Sequence, residues 1–217
     1  MNSRSRIFAR LGKSPAIPCN SIAEQNKAIP LKGELNLFLE KSKGVGAAVA
    51  TAQNLNELRS LIADTIVANK TRSVVITAED LISDLGVAEI AGEQGVACDI
   101  CSSSGEEYRK QVFKADIGIS ACTHAIAESG SVVICHNQYN RRLMSLAPAH
   151  HLCILKEEQI LANRFSLAAI LNEQKHQEKF SAITIITGVS RSADIAQHTI
   201  LGMHGPRKIS IFVLLAN

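Results

Sequence analysis

Short apolar runs alternate with longer amphipathic stretches along most of the chain. The runs have the length of strands and little polar alternation, which is typical of strands buried on both faces of a parallel sheet. They occupy residues 45–52, 73–77, 96–101, 117–121, 151–155, 182–187 and 209–215. Apolar residues at helical spacing mark residues 31–43, the stretch after Asn54, and residues 81–94, 106–114 and 160–175. This alternation predicts an α/β fold in which helices cover both faces of a mostly parallel sheet.

The second half of the chain interrupts this rhythm with a predicted β-hairpin. Ala125–Ala127 and Val132–His136 are apolar segments on either side of Glu128–Ser131, which contains a glycine suited to a tight turn. We therefore expect two antiparallel strands here instead of another strand and helix.

The first thirty residues have a different character. Residues 2–11 are basic with apolar residues on one helical side, and residues 13–30 hold three of the five prolines. We predict a basic N-terminal helix and a proline-containing linker for residues 1–30, and a single domain for residues 31–217. The start of the chain lacks the apolar core of a secretory signal, and no apolar run approaches the ~20 residues of a membrane helix. We expect a cytoplasmic protein without a membrane span.

Composition argues against several classes of function. Apolar residues make up 46% and charged residues 20% of the 217 residues, as in ordinary globular domains. The net charge of +3 is scattered and aromatic residues are only 4%, so a nucleic-acid partner is not expected. Cys98 and Cys101 form a lone CxxC pair without further cysteines at ligand spacing, so we expect no metal site. Short motifs for nicotinamide, nucleotide or catalytic zinc binding are absent from the sequence.

The predicted hairpin turn is the first candidate for chemistry. In CTHAIAESGS, Glu128 stands beside a Ser-Gly-Ser turn. A carboxylate there could serve as a nucleophile or base, with backbone N–H groups nearby to hold an anion. A hairpin turn with an exposed glutamate is the alternative.

The second candidate is the segment RRLMSLAPAHH, residues 141–151. An arginine could bind a carboxylate in bidentate fashion, and His150 or His151 could move a proton. Alternatively, the segment is a loop that leads into a strand, with His151 hydrogen-bonded in the core.

The third candidate runs from Gly188 to Arg207. Ser190 and Ser192, followed by Asp194, have the pattern of a capped helix N-terminus, which binds anions through its backbone N–H groups. A cap without a ligand, next to a structural ion pair, is the alternative. The sequence His204-Gly205-Pro206 predicts a second tight loop.

The segments AIAESGS, RLMSLAPAHH and SRSADIAQHTILGMHGPR, in this order, resemble the LUD domain of bacterial lactate-utilization proteins, in particular their protein C group. The chain departs mildly from the family pattern: Ser129 and Ser131 stand where threonine is usual, Val189 replaces a proline, and Ser192 replaces a threonine. The resemblance implies a three-layer α/β/α sandwich similar to ribose-5-phosphate isomerase, glucosamine-phosphate deaminase and the CoA transferases.

The resemblance also implies a function. Members of this family support oxidation of L-lactate to pyruvate together with an iron–sulfur subunit that has its own LUD domain and a cysteine-rich oxidoreductase subunit. This chain would be the accessory subunit without a redox cofactor of its own. A free-standing isomerase or CoA-transferase-like enzyme, acting on a small phosphorylated or CoA-linked substrate, is the alternative.

Two groups of site residues follow from the resemblance. The hypothetical catalytic group is Glu128, His151 and His204. The group expected to bind a small carboxylate or another anion is Gly130, Arg142, Ser190, Arg191, Ser192, Asp194, Gly205 and Arg207.

Overall fold

The computed structural model describes residues 31–101, 105–174, 180–193 and 199–216. The predicted N-terminal helix and linker of residues 1–30 lie outside these ranges, and so does Asp194. The described residues form six α-helices: α1 (Leu35–Gly44), α2 (Leu55–Ala68), α3 (Asp80–Asp84), α4 (Val87–Glu93), α5 (Glu106–Lys114) and α6 (Arg164–Gln174). They also form twelve strands: β1 (Ala48–Ala52), β2 (Ser73–Ile76), β3 (Ala97–Ile100), β4 (Ile117–Ala121), β5 (His124–Ile126), β6 (Ser131–His136), β7 (His150–Lys156), β8 (Ile160–Leu161), β9 (Ala182–Ile186), β10 (Arg191–Ala193), β11 (Thr199–Leu201) and β12 (Lys208–Leu214).

A six-stranded parallel sheet forms the centre of the molecule, in the order β1-β12-β7-β4-β2-β3. Its register aligns His150 of β7 with both Lys208 of β12 and Ile117 of β4. One face of the sheet packs against α2, α3 and α4, whose buried aliphatic residues join those of the strands in one cluster. The α/β fold predicted from the apolar pattern is confirmed.

The other face of the central sheet packs against α1 and a smaller four-stranded sheet, in the order β8-β5-β6-β9. Strands β5 and β6 are antiparallel, as the hairpin prediction requires. Phe38 of α1, Ile134 of β6 and Cys153 of β7 belong to the same buried cluster between the two sheets. Helix α5 covers the part of this face next to β2.

Two predicted helices have different bounds in the structure. The helix predicted at 81–94 is divided into α3 and α4 at Gly86, whose φ of 59° is left-handed. The helix predicted at 160–175 begins only at Arg164, because Ile160–Leu161 pairs with β5 as strand β8.

The predicted helix start is wrong for residues 191–193, and Asp194, the last residue of the predicted pattern, lies outside the described residues. Residues Arg191–Ala193 form strand β10, which pairs antiparallel with β11. The Ser190 N–H donates to the carbonyl oxygen of Pro206, and the carbonyl oxygen of Ser190 accepts from the Gly202 N–H. These long-range bonds take the backbone groups that a helix would use, so pairing with a distant segment overrides the local capping pattern.

Among the described residues, no helix combines the length and the apolar character needed to cross a membrane.

Candidate functional site

The central sheet reverses its strand order between β2 and β4. The chain leaves β2 toward β3, and it leaves β4 in the opposite direction toward β7. Open α/β sheets bind ligands outside the carboxyl ends of the strands at such a reversal, because the diverging connections leave a crevice. The ends of β2 and β4 are therefore the candidate functional site.

Glu79 occupies this position, three residues after the end of β2. One carboxylate oxygen, Oε2, accepts from the Ala121 N–H at 2.9 Å and from the Thr77 hydroxyl at 2.8 Å. The other, Oε1, accepts from the Asn140 side-chain amide at 3.0 Å. The carboxylate thus joins the end of β2, the end of β4 and the loop that follows β6.

The environment of Glu79 favours its protonated form. Burial raises the pKa of the carboxyl group above its usual value, and the nearby Cys153 thiol adds to this rise, while the hydrogen bonds from Asn140, Thr77 and Ala121 oppose it. A carboxyl group with a raised pKa at a strand-end crevice is a candidate for proton transfer.

Two further polar residues, Asn140 and Arg141, lie in the loop that contributes to the Glu79 site. A side-chain turn at Asn137 holds the loop in place, since its Oδ1 accepts from the N–H groups of Tyr139 and Asn140. Among the described residues, no partner reaches the buried Asn140 Oδ1 or the buried Arg141 Nε. The Arg141 guanidinium lies 5.4 Å from the centre of the Tyr108 ring. The Asn140 amide oxygen is therefore an available acceptor beside the Glu79 carboxyl group, and the Arg141 guanidinium is a cation in the same loop, packed against Tyr108.

The segment that contains Arg142 and His151 is divided by the structure. Arg142 is exposed and opens a 3-10 turn. His151 is completely buried between the two sheets, with Nε2 at 2.9 Å from the Ser120 hydroxyl and Nδ1 at 3.4 Å from the Cys153 sulfur. This is the core position that the sequence allowed as an alternative.

Glu128 has a local structural contact. The side chain is exposed, and its Oε1 accepts from the Arg164 N–H at 2.9 Å, at the first residue of α6. Asn163 Oδ1 accepts from the next two N–H groups, those of Phe165 and Ser166. Together they bind the free donors at the start of α6, so the geometry of Glu128 is that of a helix cap.

The turn around Gly130 packs against the end of α1. Gly130 has a left-handed φ of 64°, and a Cβ there would collide with the backbone of Lys41 and Ser42. The Ser42 hydroxyl donates to the Gly130 carbonyl oxygen at 3.2 Å. A chain of hydroxyl groups follows, in which Ser131 lies 2.7 Å from both Ser129 and Thr187.

The third sequence segment meets the same end of α1. The Arg191 guanidinium donates to the Val45 carbonyl oxygen at 3.2 Å, just after the last residue of the helix. At Gly205, a Cβ would lie 3.3 Å from the Ser190 Cβ, so the tight loop packs against Ser190. The structure therefore brings the Glu128–Ser131 turn and the Ser190–Arg191 segment together around α1.

The remaining predicted residues lie elsewhere. His204 is exposed in the loop after β11, and Ser192 belongs to strand β10. Arg207 is exposed at the start of β12, where it borders a cavity with His150 and Lys208. Their predicted roles stay predictions.

The family model described as the LUD domain matches residues 35–214, which is most of the chain. The chain belongs to the LUD domain family. Lactate utilization protein C of Oceanobacillus iheyensis is 28% identical to it over 97% of this chain and 95% of that protein. Lactate utilization protein C of Anoxybacillus flavithermus is also 28% identical, over 74% of this chain and 71% of its own length.

A solved structure has the same fold as this LUD domain. The crystal structure of a DUF162 family protein from Deinococcus radiodurans superposes with a TM-score of 0.62 and 24% sequence identity, covering 83% of this chain and 95% of that chain.

Sequence reasoning missed Glu79, Asn140 and Arg141 as a group in this LUD domain. One signal was present, because Glu79 is a carboxylate that closely follows the buried apolar run of residues 73–77. Asn140 and Arg141 carried no comparable signal, since the hydrogen bond that brings Asn140 to Glu79 joins residues 61 positions apart along the chain.

Proposed function

We propose that this LUD-domain protein takes part in lactate utilization, as the accessory subunit of a cytoplasmic iron–sulfur system that oxidises L-lactate to pyruvate. The carrying observation is its similarity, over nearly the full length of both chains, to lactate utilization protein C of Oceanobacillus iheyensis. The candidate site supports the same role, because its polar groups suit lactate or pyruvate as a ligand.

The groups around Glu79 suit lactate or pyruvate. The Arg141 guanidinium pairs with the carboxylate of the ligand, and the free Asn140 Oδ1 accepts from the lactate hydroxyl. Glu79, whose pKa is raised by burial, donates a hydrogen bond from its protonated form to the oxygen of that hydroxyl. The assignment thus names an anchor, an acceptor and a donor for a 2-hydroxy acid.

The cysteines of the described region support assigning iron–sulfur clusters to a partner subunit. Cys122 and Cys153 pack in the apolar layer between the two sheets, and Cys101 packs against α5. Burial raises the pKa of the Cys98 thiol to about 11 and that of Cys101 to about 12, which disfavours the thiolate that a cluster ligand requires. At Cys153 burial also raises the pKa, but the hydrogen bond with Cys122 and the nearby His151 outweigh it and lower the pKa of this enclosed thiol. The cysteine-rich and LUD-containing partner subunits are accordingly part of the proposal.

The alternative of a free-standing isomerase or transferase has less support from the geometry. It requires a reactive carboxylate at Glu128, which here binds the first N–H of α6. It also requires an anion site at a helix start near Ser190, where the chain instead forms strand β10.

Deletion of the gene tests the proposal directly. In a strain without other lactate dehydrogenases, we expect loss of growth on L-lactate as sole carbon source and normal growth on glucose, with growth restored by the wild-type gene. Purified chain alone should not oxidise lactate, whereas affinity purification should recover iron–sulfur proteins. Unimpaired growth on lactate would contradict the lactate role.

Two variants test the site separately from the pathway. Arg141→Gln is expected to weaken lactate use about tenfold or more, because it removes a charge-assisted hydrogen bond, and Glu79→Gln is expected to reduce it further. Glu93→Gln, on the exposed side of α4, serves as the matched control. If the deletion abolishes growth on lactate but both site variants restore it fully, the site assignment is wrong and the pathway assignment stands.

A further inference from the structure

A cavity of about 420 Å³ opens at the amino ends of the central strands. Its wall comes from residues at the starts of β2, β4, β7 and β12, which lie side by side in the sheet. Because the strands are parallel, this cavity and the Glu79 site lie at opposite edges of the sheet. The volume is in the range of pockets that bind small organic molecules.

The cavity is lined mainly by positive charge. Its described lining contains four basic side chains, Lys70, Arg72, Arg207 and Lys208, against the single carboxylate of Asp116. That carboxylate is already engaged, since its Oδ2 accepts from the N–H groups of Arg72 and Ser73 and lies 3.8 Å from Arg72 Nε. Among the described residues, no carboxylate lies within ion-pair distance of the side chains of Lys70, Arg207 or Lys208.

Two buried polar side chains in the wall have free hydrogen-bonding atoms. Thr71 is 8% exposed and His150 is 6% exposed. In the described part of the chain, no partner reaches Thr71 Oγ1 or His150 Nδ1, whereas His150 Nε2 lies 2.8 Å from the Ser210 hydroxyl. Buried polar atoms of this kind normally have a partner, so their presence in a cavity wall points to a ligand.

His150 is suited to act as a neutral hydrogen-bond donor. Burial, together with the nearby charges of Lys208 and His151, lowers the pKa of the imidazole to about 4. The ring is therefore neutral at physiological pH. In the tautomer in which the Ser210 hydroxyl donates to Nε2, the ring proton is on Nδ1, where it is available to an acceptor.

Interaction with helix dipoles explains the presence of only some of these basic residues. Helices α2 and α5 end at this edge of the sheet, and basic residues near a helix C-terminus, such as Lys70, stabilise the helix. Arg207 and Lys208 follow the loop after β11 and belong to no described helix. The helix dipoles therefore do not account for these two cations, of which Lys208 donates from Nζ to Asn69 Oδ1 at 2.8 Å.

We propose that this cavity binds a phosphorylated small molecule, with Arg207 and Lys208 pairing with the phosphate and Thr71 and His150 adding hydrogen bonds. A phosphate dianion matches the excess of cations better than a monocarboxylate does. The cavity is larger than a phosphate group alone needs, so an organic remainder shares it. This ligand site is independent of the lactate role and would exist whether or not that role holds.

Calorimetry on the purified full chain tests the proposal with three probes: inorganic phosphate, phenyl phosphate and L-lactate. Phenyl phosphate should bind with a saturable isotherm and more tightly than inorganic phosphate, because its ring fills the remaining volume. L-lactate should not compete with it. The imidazole resonances of His150, followed by NMR, should shift on addition of phenyl phosphate.

Paired charge-removal variants decide whether the cavity is responsible. Arg207→Gln combined with Lys208→Gln should weaken phenyl phosphate binding by about tenfold for each charge removed. Arg109→Gln combined with Lys110→Gln removes the same charge from the exposed side of α5 and should leave the affinity unchanged. Thermal unfolding of each variant verifies that it is folded. Absence of phenyl phosphate binding at about 10 mM ligand, or equal weakening in both pairs, would overturn the proposal.

Discussion

Individual residues in this LUD domain have roles that their chemistry alone does not disclose. Glu79 and Glu128 are both carboxylates near strand ends, yet one lies at the reversal of the central sheet and the other at the start of a helix. Their surroundings differ accordingly, since Glu79 is held by three side-chain and backbone donors while Glu128 is exposed. The position of a residue in the fold decides its chemistry here.

Gly130 is the single residue whose substitution should be most informative. Gly130→Ala is expected to destabilise the protein by about 3 kcal/mol or more, because left-handed backbone strain adds to a collision with the end of α1. Gly95→Ala is the matched control: its φ of 68° is also left-handed, but nothing lies within 4 Å of a Cβ there. The control should lose about 1 kcal/mol. Urea unfolding followed by circular dichroism measures both, and equal losses would show that the turn does not contact α1.

At the scale of elements, the start of α6 shows how distant segments complete a helix. Asn163 satisfies two N–H groups from the residue just before the helix, whereas Glu128 reaches a third from the hairpin turn. The turn and the helix therefore stabilise each other.

Substitutions at these two capping residues distinguish a structural role from a catalytic role. Glu128→Ala should lower the free energy of unfolding by about 0.5–1 kcal/mol, Asn163→Ala by about 1–2 kcal/mol, and Glu128→Gln by less than either, because Gln keeps an acceptor oxygen. All three variants should still support growth on lactate. Loss of growth with Glu128→Gln, in a protein of normal stability, would restore Glu128 as a catalytic residue.

Strand β10 is a second element whose formation depends on a distant segment. The sequence Ser-Arg-Ser-Ala-Asp has the pattern of a helix start, but Arg191 is aligned with Leu201 in an antiparallel pair. The local pattern carried no information on the segment that would lie beside it.

At the scale of the whole molecule, the two sheets share one apolar layer. Residues of β6, β7, β12 and α1 belong to the same buried cluster, so neither sheet has a complete core without the other. Unfolding should therefore be one cooperative transition for both sheets.

Substitution of Ile134 tests this coupling. Ile134 is fully buried in the shared layer, and Ile134→Ala should cost about 2–5 kcal/mol. Hydrogen exchange should accelerate together in β6 and in β7 and β12. Ile185→Ala, at a side chain that is 52% exposed on β9, should change stability by less than about 0.5 kcal/mol. Faster exchange in the small sheet alone would mean that the sheets unfold independently.

The amino-acid sequence predicted the positions of most strands and helices, the parallel arrangement and the hairpin at Gly130. It could do so because hydrophobic periodicity and turn residues are local properties of the chain. The motifs also indicated the family, although they did not assign contacts to residues such as His151, which is buried in the core.

The three-dimensional packing of the chain determines which of these residues meet. The Glu79 site joins segments that are 42 and 61 residues apart along the chain, and the cavity at Arg207 and His150 gathers the starts of four strands. The pairing of Arg191 as a strand depends likewise on a partner segment. Strand register and order bring such groups together through long-range hydrogen bonds and packing, which no local pattern of residues encodes.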